Sequence, residues 1–112
     1  MAREVSESAL QVEAEQVLAL ATSDPARAAK LAQAVLSRAE PARDFRAASL
    51  AERTLGLAAR ECHDLSGSAR HLRRAARIAE RAGMPSCGAE ARLSLAGTLA
   101  LQGNSSGARR EV

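Results

Sequence analysis

The sequence predicts an all-α fold: an array of antiparallel helices, about five of full length and a short sixth. Three observations carry the prediction. The chain holds 27 Ala and 14 Leu among 112 residues, against one Ile and five Val; alanine and leucine are strong helix formers, whereas β-branched residues favour strands. Helix breakers recur along the chain, and apolar residues stand three and four apart between them, which places them on one side of a helix. A shift of about 40 residues brings the breaks and the small apolar residues into superposition, the mark of an internal repeat. The length suits one domain, residues 1–112.

The elements follow in order. Residues 5–22 form the first helix, with Val5, Ala9, Leu10, Val12, Val17, Leu18 and Leu20 as its apolar positions. Ser23-Asp24-Pro25 ends it and begins the next, with Asp24 as N-cap and Pro25 at the first helical position. The second helix covers 25–39 through Ala28, Leu31, Ala32, Val35 and Leu36. Pro41 breaks the chain there, because proline disfavours helix at the residue before it. The third covers 44–62 through Ala48, Ala51, Leu55, Ala58, Ala59 and Cys62, and stops at His63-Asp64 with Ser66-Gly67. The fourth covers 65–82 through Leu65, Leu72, Ala75, Ala76 and Ala79. Gly83 suits the left-handed residue after a helix, and Pro85 cannot continue one. Residues 86–102 form the fifth, carrying Ala89, Leu93, Ala96, Leu99 and Ala100. Gly103 to Gly107 is the last break, and a sixth helix runs from Ser105 to Val112.

The repeat units are 5–40, 44–82 and 86–112, the last incomplete. Under the same shift Asp24, Asp64 and Asn104 superpose as caps, and Ala28, Ser68 and Ala108 superpose one turn further on. Leu55-Gly56 falls on Leu95-Ala96. A fixed period of this size in helical segments is the signature of a helical array. The pattern resembles the tetratricopeptide repeat, in which a Leu-Gly pair in the first helix precedes a Gly-Asp turn and a second helix with alanines at fixed steps. Leu55-Gly56, His63-Asp64, Ser68, Leu72 and Ala75 occupy those places here. The departures are His63 for the turn glycine, Ser68 for a core alanine, and Ala59 and Leu72 at the aromatic positions. The unit is also longer, at about 40 residues rather than about 34. The extra residues are assigned to a loop at 80–86.

The runs Leu55 to Arg60, Leu72 to Gly83 and Ala91 to Leu95 are further similar to the arrays of actinobacterial proteins, many of which carry a caspase-like CHAT protease domain after the array. The resemblance implies a right-handed helix-turn-helix solenoid and a piece of a recognition scaffold without the effector. It further implies that the first helix of each pair lines a concave groove. On the third helix that face includes Leu50, Arg53, Leu57 and Arg60; on the fifth it includes Glu90, Leu93, Gly97 and Leu101. Mixed charge and leucine on such a face suits a peptide or protein partner, or else packing on a neighbouring repeat.

Other function classes find less support. The four residues Cys62, His63, His71 and Cys87 lack the tight paired spacing of a zinc site. Nothing near them supplies an oxyanion hole or a third orienting group. They read as two small core cysteines and two surface histidines, so no catalysis, metal or cofactor is expected. Two cysteines are too few for a disulfide framework. No apolar run is long enough to span a membrane, and the acidic N-terminus is unlike a signal peptide; a cytoplasmic location is expected. The formal charge of +3 rests on 15 Arg and one Lys. Arg70, Arg73, Arg74, Arg77 and Arg81 form a row on the fourth helix, which is either a solvated convex face or a docking strip for nucleic acid or an acidic ligand. The absence of an aromatic platform beside it counts against single-stranded nucleic acid. A two-turn sixth helix would leave the apolar side of residues 86–102 uncovered. That implies the N-terminal part of a longer array or, as the less favoured alternative, pairing of the edge with a second copy.

Overall fold

In a computed structural model, residues 7–111 are described, with side chains for residues 7–104. They form five helices: α1 (Ala9–Leu18), α2 (Pro25–Ala42), α3 (Phe45–Glu61), α4 (Leu65–Arg81) and α5 (Pro85–Glu111). Sequential helices pack on each other. The odd-numbered helices also touch along the array, α1 on α3 and α3 on α5, while among the described residues α2 and α4 do not pack together. The molecule is therefore a two-layer, all-helical array.

The last four helices begin at Pro25, Phe45, Leu65 and Pro85, evenly spaced at half the period that the sequence suggests. The three turns between them share one construction. Arg43, His63 and Gly83 have positive φ, at 55°, 64° and 74°. The next residue then donates its N–H back to an alanine carbonyl: Asp44 to Ala39 at 3.0 Å, Asp64 to Ala59 at 2.9 Å and Met84 to Ala79 at 2.9 Å. This pairing satisfies carbonyls that a helix end leaves open. Aspartates cap the starts of α2, α3 and α4. Asp24 accepts from Arg27 N–H, Asp44 from Ala47 N–H and Asp64 from Gly67 N–H.

Several boundaries differ from the sequence reading. The first helix is shorter: α1 ends at Leu18, and residues 19–24 descend through tighter turns that bury Ala21. Val5 lies outside the described residues. Val12 and Ala9 face solvent; Val17, Leu10 and Leu18 pack as expected, joined by Ala14, which the periodicity passed over. Pro41 does not break α2; it sits in the last turn, and the reversal falls at Arg43. There is no loop at 80–86, since Ala82, Gly83 and Met84 alone join α4 to α5. The break at Gly103 and the sixth helix from Ser105 are absent, because α5 runs unbroken to Glu111. Ala108 is the only apolar residue in 105–111, so turning that segment back would bury little in return for the lost helical hydrogen bonds.

The interior is made mostly of alanine, with Val17, Val35, Leu50, Leu55, Leu72 and Leu95 as its larger members. Small side chains let the helices approach closely. At Gly56 a Cβ would stand 2.6 Å from Leu72 Cγ and 3.1 Å from the Ser68 carbonyl, so α3 meets α4 only because that position is glycine. Outside the core, Arg92 makes a two-pronged bond to Glu80 at 2.6 and 2.9 Å, tying α5 to α4. Asp44 joins three helices: it accepts from Ser8 Oγ at 2.6 Å and from Gln11 Nε2 at 3.0 Å at the start of α1, caps α3, and donates its own N–H to the Ala39 carbonyl of α2. Burial pushes its carboxyl up, but the bonds from Ser8, Gln11 and the Ala47 N–H outweigh this and hold it below the ordinary value.

Three outcomes follow for stability. Gly83→Ala lowers unfolding free energy by about 1 kcal/mol, since the cost is conformational, with open space around the new Cβ; His63→Gly raises it by about 0.5–1 kcal/mol. Urea denaturation of the two variants checks both signs. Asp44→Ala lowers stability by about 2 kcal/mol. Because the Asp44 carboxyl is depressed in the folded state, its contribution is complete above about pH 4 and is lost as pH falls through the folded value. Wild type and Asp44→Ala should therefore converge in acid denaturation curves.

Candidate functional site

The candidate face is the row of odd helices. On α3 it is set by Arg46, Arg53 and Arg60, spaced seven apart and so near one line of the helix. Each crosses to a neighbour. Arg46 reaches Glu15 of α1 at 3.5 Å. Arg53 reaches Glu90 of α5 at 3.6 Å and donates to Ser94 Oγ at 3.3 Å. Arg60 donates to the Ser94 carbonyl at 3.2 Å and to Thr98 Oγ1 at 3.3 Å. It can lie against α5 because Gly97 has no side chain: a Cβ there would stand 2.8 Å from Arg60 Nη1.

The sequence-derived groove residues therefore divide. Leu50 leaves the groove, being 4 % exposed in the core shared by α1, α2 and α3. Arg53, Leu57 and Arg60 are half-buried, and the two arginines stitch α3 to α5. Glu90, Leu93, Gly97 and Leu101 are exposed on α5. Leu93 is the most open, at 77 %. The fifth helix also turns out to carry two apolar stripes. Cys87, Ala91, Leu95 and Thr98 face α4 and α3, whereas Ala89, Leu93, Ala96, Leu99 and Ala100, the stripe that periodicity selects, face outward. Near the α3–α4 turn the face ends in a cleft of about 410 Å³, with Arg60, Leu65 and Leu101 among its lining.

Beneath this face runs a buried polar seam that the sequence reading missed. Ser68 Oγ and Thr98 Oγ1 are 2.8 Å apart, and both residues are fully buried. Ser49 Oγ donates to the Ala75 carbonyl at 2.9 Å and receives Cys87 Sγ–H at 3.4 Å. Among the described residues every buried side-chain nitrogen or oxygen has a partner.

The other candidates are placed as follows. Arg70, Arg73, Arg74, Arg77 and Arg81 are all exposed on α4. Arg74, Arg77 and Arg81 line a second cleft, which Arg70 and Arg73 do not reach. Cys87 is buried but Cys62 is exposed, against the expectation of two core cysteines. His71 is not a free surface group: its Nδ1 is 2.8 Å from Oε1 of the buried Glu52, whose Oε2 lies 3.9 Å from Arg74. Among the described residues no three His, Cys, Asp or Glu side chains converge as metal ligands. Among them too, no helix is long and apolar enough to cross a membrane. The chain matches no known protein family, no curated protein and no solved structure.

Ser68→Ala should cost about 1 kcal/mol and Thr98→Val about 2 kcal/mol, since the latter also strips a partner from Arg60. The double variant should cost less than the sum, because both changes break the same bond. Chemical denaturation of the three variants measures the coupling.

Proposed function

We propose that this chain is a protein-interaction module of tetratricopeptide type, which binds a peptide or protein partner along the α3–α5 face and performs no catalysis. The observation that carries this reading is Leu93. It is a large apolar side chain, 77 % exposed, well inside a long helix, two turns from the start of α5. Exposed alanines at 89, 96 and 100 extend the stripe, and Leu101, 44 % exposed, lies on its flank. A contiguous apolar strip rimmed by charge is the usual form of an interaction surface. The helix order, the close approach at Gly56 and the contacts along the odd row support the family reading. Arg53 and Arg60 enter the proposal as rigid walls, since both are already bonded to α5.

The occupant of the strip is a separate partner in this reading; the alternatives are a second copy or a further helix of a longer array. Immobilised wild-type chain should retain a specific partner that Leu93→Asp and Leu101→Asp lose, while melting temperature stays unchanged. Retention that is equal in all three proteins would end the proposal. Light scattering on the same samples separates the occupants: a dimer that Leu93→Asp converts to monomer identifies a second copy.

A further inference from the structure

Because α2 and α4 do not pack together, a cleft of about 570 Å³ opens where the α2–α3 turn faces the last turns of α4. The apolar part of its lining is made by Ile78, Ala82 and Phe45, the only aromatic residue of the chain, which is 41 % exposed. Arg43 carries its guanidinium over that ring, 5.4 Å from the centroid. Arg74, Arg77 and Arg81 stand along the α4 wall.

Four guanidinium groups thus meet two carboxylates, Glu40 and Glu52. Glu52 is already engaged by His71 and Arg74. Among the described residues no carboxylate forms an ion pair with Arg43, Arg77 or Arg81. Like charges gathered around a recess repel one another and favour a ligand of opposite sign. Arginine, with its flat fork of donors, is suited to carboxylates in such a place.

We propose that this cleft binds an acidic peptide segment, seating one apolar side chain on Phe45 and Ile78 and pairing flanking carboxylates with Arg43, Arg77 and Arg81. The apolar lining distinguishes this ligand from a simple anion, which would use the arginines alone. A single ring under a guanidinium offers no row of stacking surfaces for bases. Glu40 and Glu52 repel a dense polyphosphate, whereas a peptide can space its charges around them. The proposal is independent of the α3–α5 face.

Calorimetric titration at low ionic strength with acetyl-Glu-Glu-Leu-Glu-Glu-amide tests it. The glutamine counterpart should bind about tenfold more weakly or worse, and replacing the central leucine by glycine should cost about fivefold. Arg77→Glu with Arg81→Glu should weaken binding by about tenfold or more. Arg70→Glu with Arg73→Glu, the same charge change outside the cleft, should weaken it several-fold less than that pair does, since only the long-range part of the field changes and the direct contacts remain. Phe45→Ala should weaken binding with helicity and melting temperature retained. No binding at millimolar peptide, equal loss in both double variants, or displacement of the peptide by inorganic phosphate or by polyuridylate at lower concentration would each overturn the proposal. Unchanged binding in Leu93→Asp separates this surface from the other.

Discussion

A helix array keeps its layers only if the chain reverses within two or three residues and at the same rotational phase each time. Here that constraint is met by one left-handed residue and one long backbone bond, repeated at Arg43, His63 and Gly83. The bond to Ala39, Ala59 or Ala79 fixes the end of one helix, and Asp44 or Asp64 fixes the start of the next. With both ends set, the face that each helix turns inward is decided: Ala28, Ala48 and Ser68, one turn into successive helices, are all buried. Only glycine takes the left-handed conformation without strain, so two of the three turns hold a side chain against its preference and depend on the packing around them.

The regular backbone also decides where surface is left over. Even helices held apart leave the arginine-walled cleft, and the last odd helix, with nothing on its outer side among the described residues, shows a row of alanines around Leu93. Between the two lies the polar seam of Ser49, Ser68, Cys87 and Thr98, whose bonds have little slack because both partners are buried. A seam of this kind fixes how α5 sits on α3 and α4 and so keeps the open face at one orientation.

The fold class was legible in the sequence, and so were the cores of α2 and α4, because composition and periodicity agreed there; on α3 Leu50 proved core and Cys62 exposed, since that helix is buried on more than one side. The half-period was present too, in Asp24, Asp44 and Asp64, but Pro41 drew the break away from Arg43. Proline is tolerated in a last turn when the helix ends two residues on. Periodicity failed on α5 because two stripes compete. The buried one contains Cys87 and Thr98, which look less apolar than Leu93 and Leu99 yet have hydrogen-bond partners in the seam. Of the arginine cleft, the α4 wall could be read from spacing. Arg43 and Phe45 could not, since they come from another turn and only tertiary packing brings them opposite Arg77 and Arg81.

The alanine-built interior bears on temperature. The heat capacity of unfolding follows the apolar area newly exposed to water, less a contribution from polar area. Methyl groups contribute little area each, while the long helices release as much polar backbone as any others. A core of this kind gives a flat dependence of stability on temperature, without a sharp optimum and with only weak loss on cooling. The surfaces that the array presents would then keep their shape across a wide thermal range at modest absolute stability.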